Sequence, residues 1–165
     1  MKRIISIVFL VTITFLFSCD EEVKPKNEPA ASVNTFGTAT KTELGKTGYT
    51  IDLPSTHKIA ERKDSNFVVY YITSTDTTYN KGEAGIYFGP TPDERGPENI
   101  VSKEESAGMT LGKISKTVKY TTSKYTWIET VINESDSTKI QTWHFAYNKM
   151  ELDKLLEMIN SITEK

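Results

Sequence analysis

The chain has 165 residues, with 20 Lys+Arg against 22 Asp+Glu, one Cys, two His and 37% apolar residues. That length suits one domain of ordinary size and excludes a multidomain machine. A single Cys excludes an internal disulfide framework, two His leave little for a metal site, and a net charge of -2 gives no basic field for nucleic acid.

Met1-Lys2-Arg3 precedes Ile4 to Phe17, a run that is apolar apart from Ser6, Thr12 and Thr14, and Ser18-Cys19 follows. A positive start, an apolar stretch and a small-residue cleavage site predict a signal peptide over residues 1–18. The run falls short of the roughly 20 apolar residues of a spanning helix. On a cytoplasmic protein it would be an exposed apolar patch. Leu16-Phe17-Ser18-Cys19 resembles the lipobox of bacterial lipoproteins, although Phe17 is bulkier than that family's usual residue. The resemblance implies cleavage between Ser18 and Cys19, a diacylglyceryl group on the Cys19 thiol and acylation of the new amine. The implied partner is then a membrane, held through a lipid anchor. Each buried methylene contributes about 0.8 kcal/mol, so two or three acyl chains hold where one binds marginally.

Residues 19–45 follow as lipidated Cys and tether. From Asp20 to Gly45 there are seven apolar residues in 26, two Pro and no helical or alternating period. Such a stretch cannot bury enough apolar surface to offset its ordering entropy, which predicts a flexible linker. Asp20-Glu21-Glu22 resembles two opposite lipoprotein sorting signals: inner-membrane retention by an Asp after the Cys, or export by an acidic cluster. Three acids in a row exceed what retention by one Asp needs. The expected location is the outer membrane of a Gram-negative envelope, with the domain exposed at the cell surface.

Residues 46–165 read as a single domain. Tyr49, Ile51 and Leu53 alternate with polar residues up to Pro54 and predict a first strand. Phe67 to Thr73 and Ala84 to Phe88 predict a hairpin across the polar segment between them. Gly89 to Pro97, with three Pro and two Gly, predicts a surface loop. Glu98 to Gly108 is read as one or two helical turns. Lys113–Tyr120, Lys124–Asn133 and Lys139–Tyr147 predict three more strands, the last two joined by the turn Glu134 to Thr138. Leu152, Leu155, Leu156, Ile159 and Ile162 form one helical stripe, with Asn148 as cap and Glu151 three places on. The fold class is therefore α+β: an antiparallel sheet of about six strands flanked by one or two helices, the last being the amphipathic C-terminal one.

Gly48 to Pro54, Gly85 to Gly89, the aromatic strand with Trp143 and Tyr147, and Leu152 to Ile162 together resemble the PsbP-like group. The group includes bacterial DcrB-type lipoproteins. The resemblance spans about 115 residues and rests on apolar pattern. It implies a sheet flanked by helices and a binding or assembly role, and it carries no functional residue across.

Chemistry-bearing residues are sparse. His57 is expected on a loop and His144 mid-strand with a core or cross-strand partner; they share no metal-ligand spacing. No nucleophile motif or phosphate loop is present. Asp64, Asp76 and Glu83 are expected as solvated acids near turns. Tyr71, Tyr79, Tyr87, Tyr125 and Tyr147 could form a platform for a sugar or a protein where their strand faces point outward. The chain is thus expected to be a non-enzymatic binding module without metal or cofactor, its protein or glycan partner unspecified. An envelope immunity lipoprotein against a secreted toxin and a surface hydrolase are the alternatives.

Overall fold

The computed structural model describes residues 38–76, 82–93 and 95–165. Within them the chain forms strands β1 (Ala39–Glu43), β2 (Tyr49–Pro54), β3 (His57–Lys63), β4 (Val68–Ser74), β5 (Gly82–Gly89), β6 (Ile100–Thr110), β7 (Lys113–Thr122), β8 (Thr126–Asn133) and β9 (Lys139–Ala146). Helix α1 (Lys149–Asn160) and the short β10 (Thr163–Glu164) complete it. The class is α+β, with every strand pairing antiparallel.

The larger sheet has seven strands in the order β3-β4-β5-β9-β8-β7-β6, and a second sheet has the order β1-β2-β10. Two antiparallel meanders, β3 to β5 and β6 to β9, meet where β5 pairs with β9. Those two strands lie at the middle and are the most buried, which matches their Ile, Phe, Tyr, Trp and Ala content. The expected hairpin of β4 with β5 and the expected turn between β8 and β9 are both present.

One side of the large sheet, here called the inner face, carries Tyr70, Ile72, Ala84, Ile86, Phe88, Ile132 and Ile140. It packs against Leu155, Met158 and Ile159 of α1 and Tyr49 and Ile51 of β2. The predicted helical stripe therefore faces inward. Asn148 caps the helix, its Oδ1 accepting from the Glu151 backbone N–H at 2.9 Å.

Four expectations are corrected. The sheet exceeds six strands because edge strands need no apolar alternation: β6 is exposed along nearly its whole length and β3 along most of its own, so neither shows the period of a half-buried strand. Glu98 to Gly108 is not helical; its backbone groups pair with β7 instead. The stretch read as tether up to residue 45 already contains β1, and Leu44 is fully buried, so the fold begins at least as early as Ala39. His57 is not on a loop but opens β3 on the inner face.

The turn between β6 and β7 is fixed to β2 by one cluster. Lys113 donates to the Tyr49 hydroxyl at 3.0 Å and to Glu134, and the Tyr49 hydroxyl donates to Glu134 at 2.7 Å. Burial raises the Tyr49 pKa, partly countered by the Lys113 hydrogen bond. Burial pushes the Glu134 carboxyl up, but hydrogen bonds from Lys113 and Tyr49 and the Lys113 charge outweigh it and hold it below 4.5.

Candidate binding face

The opposite, outer face of the large sheet has no helix on it among the described residues, and its covering follows from topology. Strands β5 and β6 are consecutive in the chain but separated in the sheet by β9, β8 and β7. Four strand spacings come to about 19 Å, and the connection from Pro90 to Asn99 crosses that distance over the outer face. The Tyr87 hydroxyl donates to the Thr91 carbonyl at 3.1 Å, and Gln141 Nε2 donates to the Asp93 carbonyl at 2.6 Å. Arg95 lays its guanidinium over the Trp143 ring.

Beneath this strap sits a buried polar pair. Gln141 Nε2 also donates to Glu129 Oε1 at 2.5 Å, while Glu129 Oε2 and Gln141 Oε1 have no hydrogen-bond partner among the described residues. The strap divides the outer face into two ends.

At one end the side chains are aromatic. The Trp127 and Phe145 rings stack at 5.3 Å and 8° between planes; Tyr125 lies 5.4 Å from Phe145, and Tyr147 stands edge-on to Tyr125 at 5.6 Å. Cross-strand register explains the first pair, since Trp127 lies directly opposite Phe145 on β8 and β9. Tyr147 is 48% exposed. Beside it, where β9 runs into α1 at the margin of the sheet, lies a groove of about 490 Å³ lined by Tyr125, Tyr147 and Asn148 and by Lys149, Leu152 and Asp153 of α1. Asp153 is held by Lys149 at 2.7 and 2.9 Å. Half-exposed rings next to amide, carboxylate and hydroxyl groups can stack on one face of a flat polar molecule and hydrogen-bond its rim.

At the other end a second groove, about 580 Å³, runs between the strap and the β6–β7 hairpin, past Pro92, Ala107, Ile114, Lys116, Val131 and Lys139. Met109 and Ile114 are 71% and 69% exposed there. Glu105 lies between Lys103 at 2.6 Å and Lys116 at 2.9 Å, whose hydrogen bonds pull its pKa to about 2.

The residues singled out in the sequence divide as follows. Ser18, Cys19, Asp20, Glu21, Glu22 and Tyr79 lie outside the described residues. Tyr125 and Tyr147 form the exposed aromatic end; Tyr71 is half-buried, edge-on to Trp143 at 6.0 Å. Tyr87 points to the outer face but is buried, stacked on Phe67 at 5.7 Å beneath the strap. His57 Nε2 lies 3.4 Å from Glu151 Oε1, with both side chains buried. His144 is mid-strand as expected, yet neither ring nitrogen has a hydrogen-bond partner among the described residues. Asp64 turns to the Ser65 backbone at 2.6 Å, and Glu83 lies within β5 rather than at a turn. No group of three or more His, Cys, Asp or Glu among the described residues could hold a metal ion. Trp127 and Phe145 were not among the aromatics expected to point outward, although strand alternation places Trp127 on the face of Tyr125 and Phe145 on that of Tyr147; Arg95 and the Glu129–Gln141 pair carried no local signal, because the strap that unites them is a product of strand order.

No family model matches the sequence, and no curated protein matches it.

Proposed function

We propose that this chain is a lipid-anchored envelope protein whose folded part is a non-enzymatic module that binds glycan at the aromatic end of the outer face. The observation that carries the binding role is exposed Tyr147 with partly buried Tyr125, packed on Phe145 and Trp127, lining a groove with Asn148 and Asp153. Sugars present an apolar ring face and a polar rim, which is the chemistry this surface complements. The anchor rests on Leu16 to Cys19, the surface location on Asp20 to Glu22, and the PsbP-like reading of the domain on the patterns over Gly48 to Pro54, Gly85 to Gly89, Trp143 with Tyr147, and Leu152 to Ile162.

Two experiments test this. Incubation of the full chain in detergent with an array of hexose and hexosamine oligosaccharides should give saturable binding. Tyr147→Ala should weaken it about tenfold, the worth of one stacked ring; no saturable binding, or no effect of Tyr147→Ala, would refute the site. Cys19→Ser should abolish palmitate labelling and release the protein from membranes, and unchanged membrane retention would refute the anchor.

The exposed Met109 and Ile114 beside the second groove favour one other reading, an immunity lipoprotein that grips a secreted toxin there. Ile114→Asp would abolish capture of such a toxin and leave glycan binding intact.

A further inference from the structure

On the inner side of the sheet, beneath α1, lies a cavity of about 170 Å³, remote in chemistry from the aromatic surface. Ile128 and Ile132 wall it from the sheet and Leu156 and Ile159 from the helix, while His144 supplies polar surface together with Thr110, Thr117, Thr130, Thr142 and Asn160. No charged side chain among the described residues lines it.

His144 is only 2% exposed, and both of its ring nitrogens lack partners among the described residues. Burial lowers its pKa to about 4, so the ring is neutral at physiological pH and holds one unused donor and one unused acceptor. An interior donor or acceptor left unpaired has lost its bond to water and gained nothing in exchange. Thr130 offers no relief from within, because its hydroxyl is already engaged with that of Thr117 at 2.9 Å.

The volume slightly exceeds the roughly 150 Å³ of an apolar cavity known to admit benzene. Water alone fits poorly. Several molecules at about 30 Å³ each would enter, every one needing two to four polar partners, and the Ile and Leu half of the wall provides none. The lining also reaches exposed Asn160 at the end of α1 and the β6–β7 turn, where Leu111 stands. Leu111 holds φ at +55°, in the left-handed region, and its side chain packs onto the core. That conformation is strained for a residue with a Cβ, and here it places an apolar side chain at the cavity's outer end.

We propose that this cavity binds a small neutral monocyclic compound bearing one hydroxyl group, with its ring against the Ile and Leu walls and its hydroxyl bonded to His144, and that Leu111 closes the way in. The site is independent of the glycan-binding reading.

Phenol and benzene serve as probes, titrated into the full-length chain in detergent with isoleucine methyls labelled for NMR. Phenol should shift the Ile128, Ile132 and Ile159 methyls saturably. His144→Leu should weaken phenol about tenfold, the worth of one hydrogen bond, and leave benzene unchanged; comparing variant with parent for one probe cancels partition into the micelle. In the unaltered chain the His144 ring nitrogen resonances must move with phenol, which decides the matter even where the variant fails to fold. Leu111→Gly should speed exchange of bound phenol without weakening it. Absence of saturable methyl shifts, static His144 nitrogens, or equal loss of both probes in His144→Leu would overturn the site. An unchanged exchange rate would overturn the route.

Discussion

The guanidinium carbon of Arg95 sits 4.5 Å from the centre of the Trp143 ring, on the side of the sheet away from α1. Arg95 lies on the strap and Trp143 on the central strand β9, so one contact joins a long loop to the best-paired part of the fold. Its partners in that task are the hydrogen bonds from Tyr87 and Gln141 to strap carbonyls.

Removing that contact should loosen the strap without unfolding the sheet. Arg95→Ala is expected to cost about 1 kcal/mol, the worth of a partly desolvated cation–π contact. Acrylamide quenching of tryptophan fluorescence should rise while far-UV circular dichroism stays unchanged.

Gly85 lies directly opposite Trp143 on β5, and a Cβ there would overlap the indole ring. Gly85→Ala should therefore displace Trp143 and destabilise the domain by about 2 kcal/mol through overpacking. Because both substitutions act on Trp143, the Gly85→Ala and Arg95→Ala losses should be less than additive in thermal unfolding.

Acid should weaken the fold in two steps. His144 has its pKa lowered from 6.5 to about 4 by burial, so the unfolded chain binds its proton first and stability falls as pH drops from 6.5 towards 4. The full effect is about 3 kcal/mol. His144→Leu should flatten that part of a urea-unfolding pH profile relative to the parent. Glu134, whose pKa is held below 4.5, contributes stability above that value and loses it as pH falls further; Glu134→Gln should blunt only this lower step.

His57 and Glu151 tie the edge strand β3 to the first turn of α1. Glu151→Ala takes a carboxylate from beside a buried imidazole and is expected to cost about 1–3 kcal/mol, the worth of a buried polar group losing its polar neighbour. Glu151→Gln, which keeps an acceptor, should lose less than half of that in the same equilibrium unfolding measurement.

The sorting proposal has its own readout. Replacing Asp20, Glu21 and Glu22 together by Ala should abolish digestion of the protein by protease added to intact cells, while palmitate labelling continues. Persistent digestion would show that the acidic run does not direct export.

Several elements could be read from local order alone. Alternation over Tyr49 to Leu53 and Lys139 to Tyr147 and the stripe from Leu152 to Ile162 each report a half-buried strand or helix, because burial on one side imposes a period on neighbouring residues. The cap at Asn148 is equally local. Strands β1, β3 and β6 escaped for the complementary reason: an edge strand is held by backbone bonds to its neighbour and leaves its side chains free to be polar.

The candidate sites depended still more on what distant segments do together. The aromatic residues were visible as a set, but which of them remain exposed is decided by the strap, and the strap's path is decided by β9, β8 and β7 inserting between β5 and β6. His144 likewise needed the helix above it before its unused nitrogens and cavity existed. Sequence by itself determined the apolar start, the single Cys that follows it and the periodic core elements, all encoded by residues close in the chain. Tertiary structure alone decided strand order, the covered and open ends of the outer face and the interior cavity, because each arises from contacts between residues tens of positions apart.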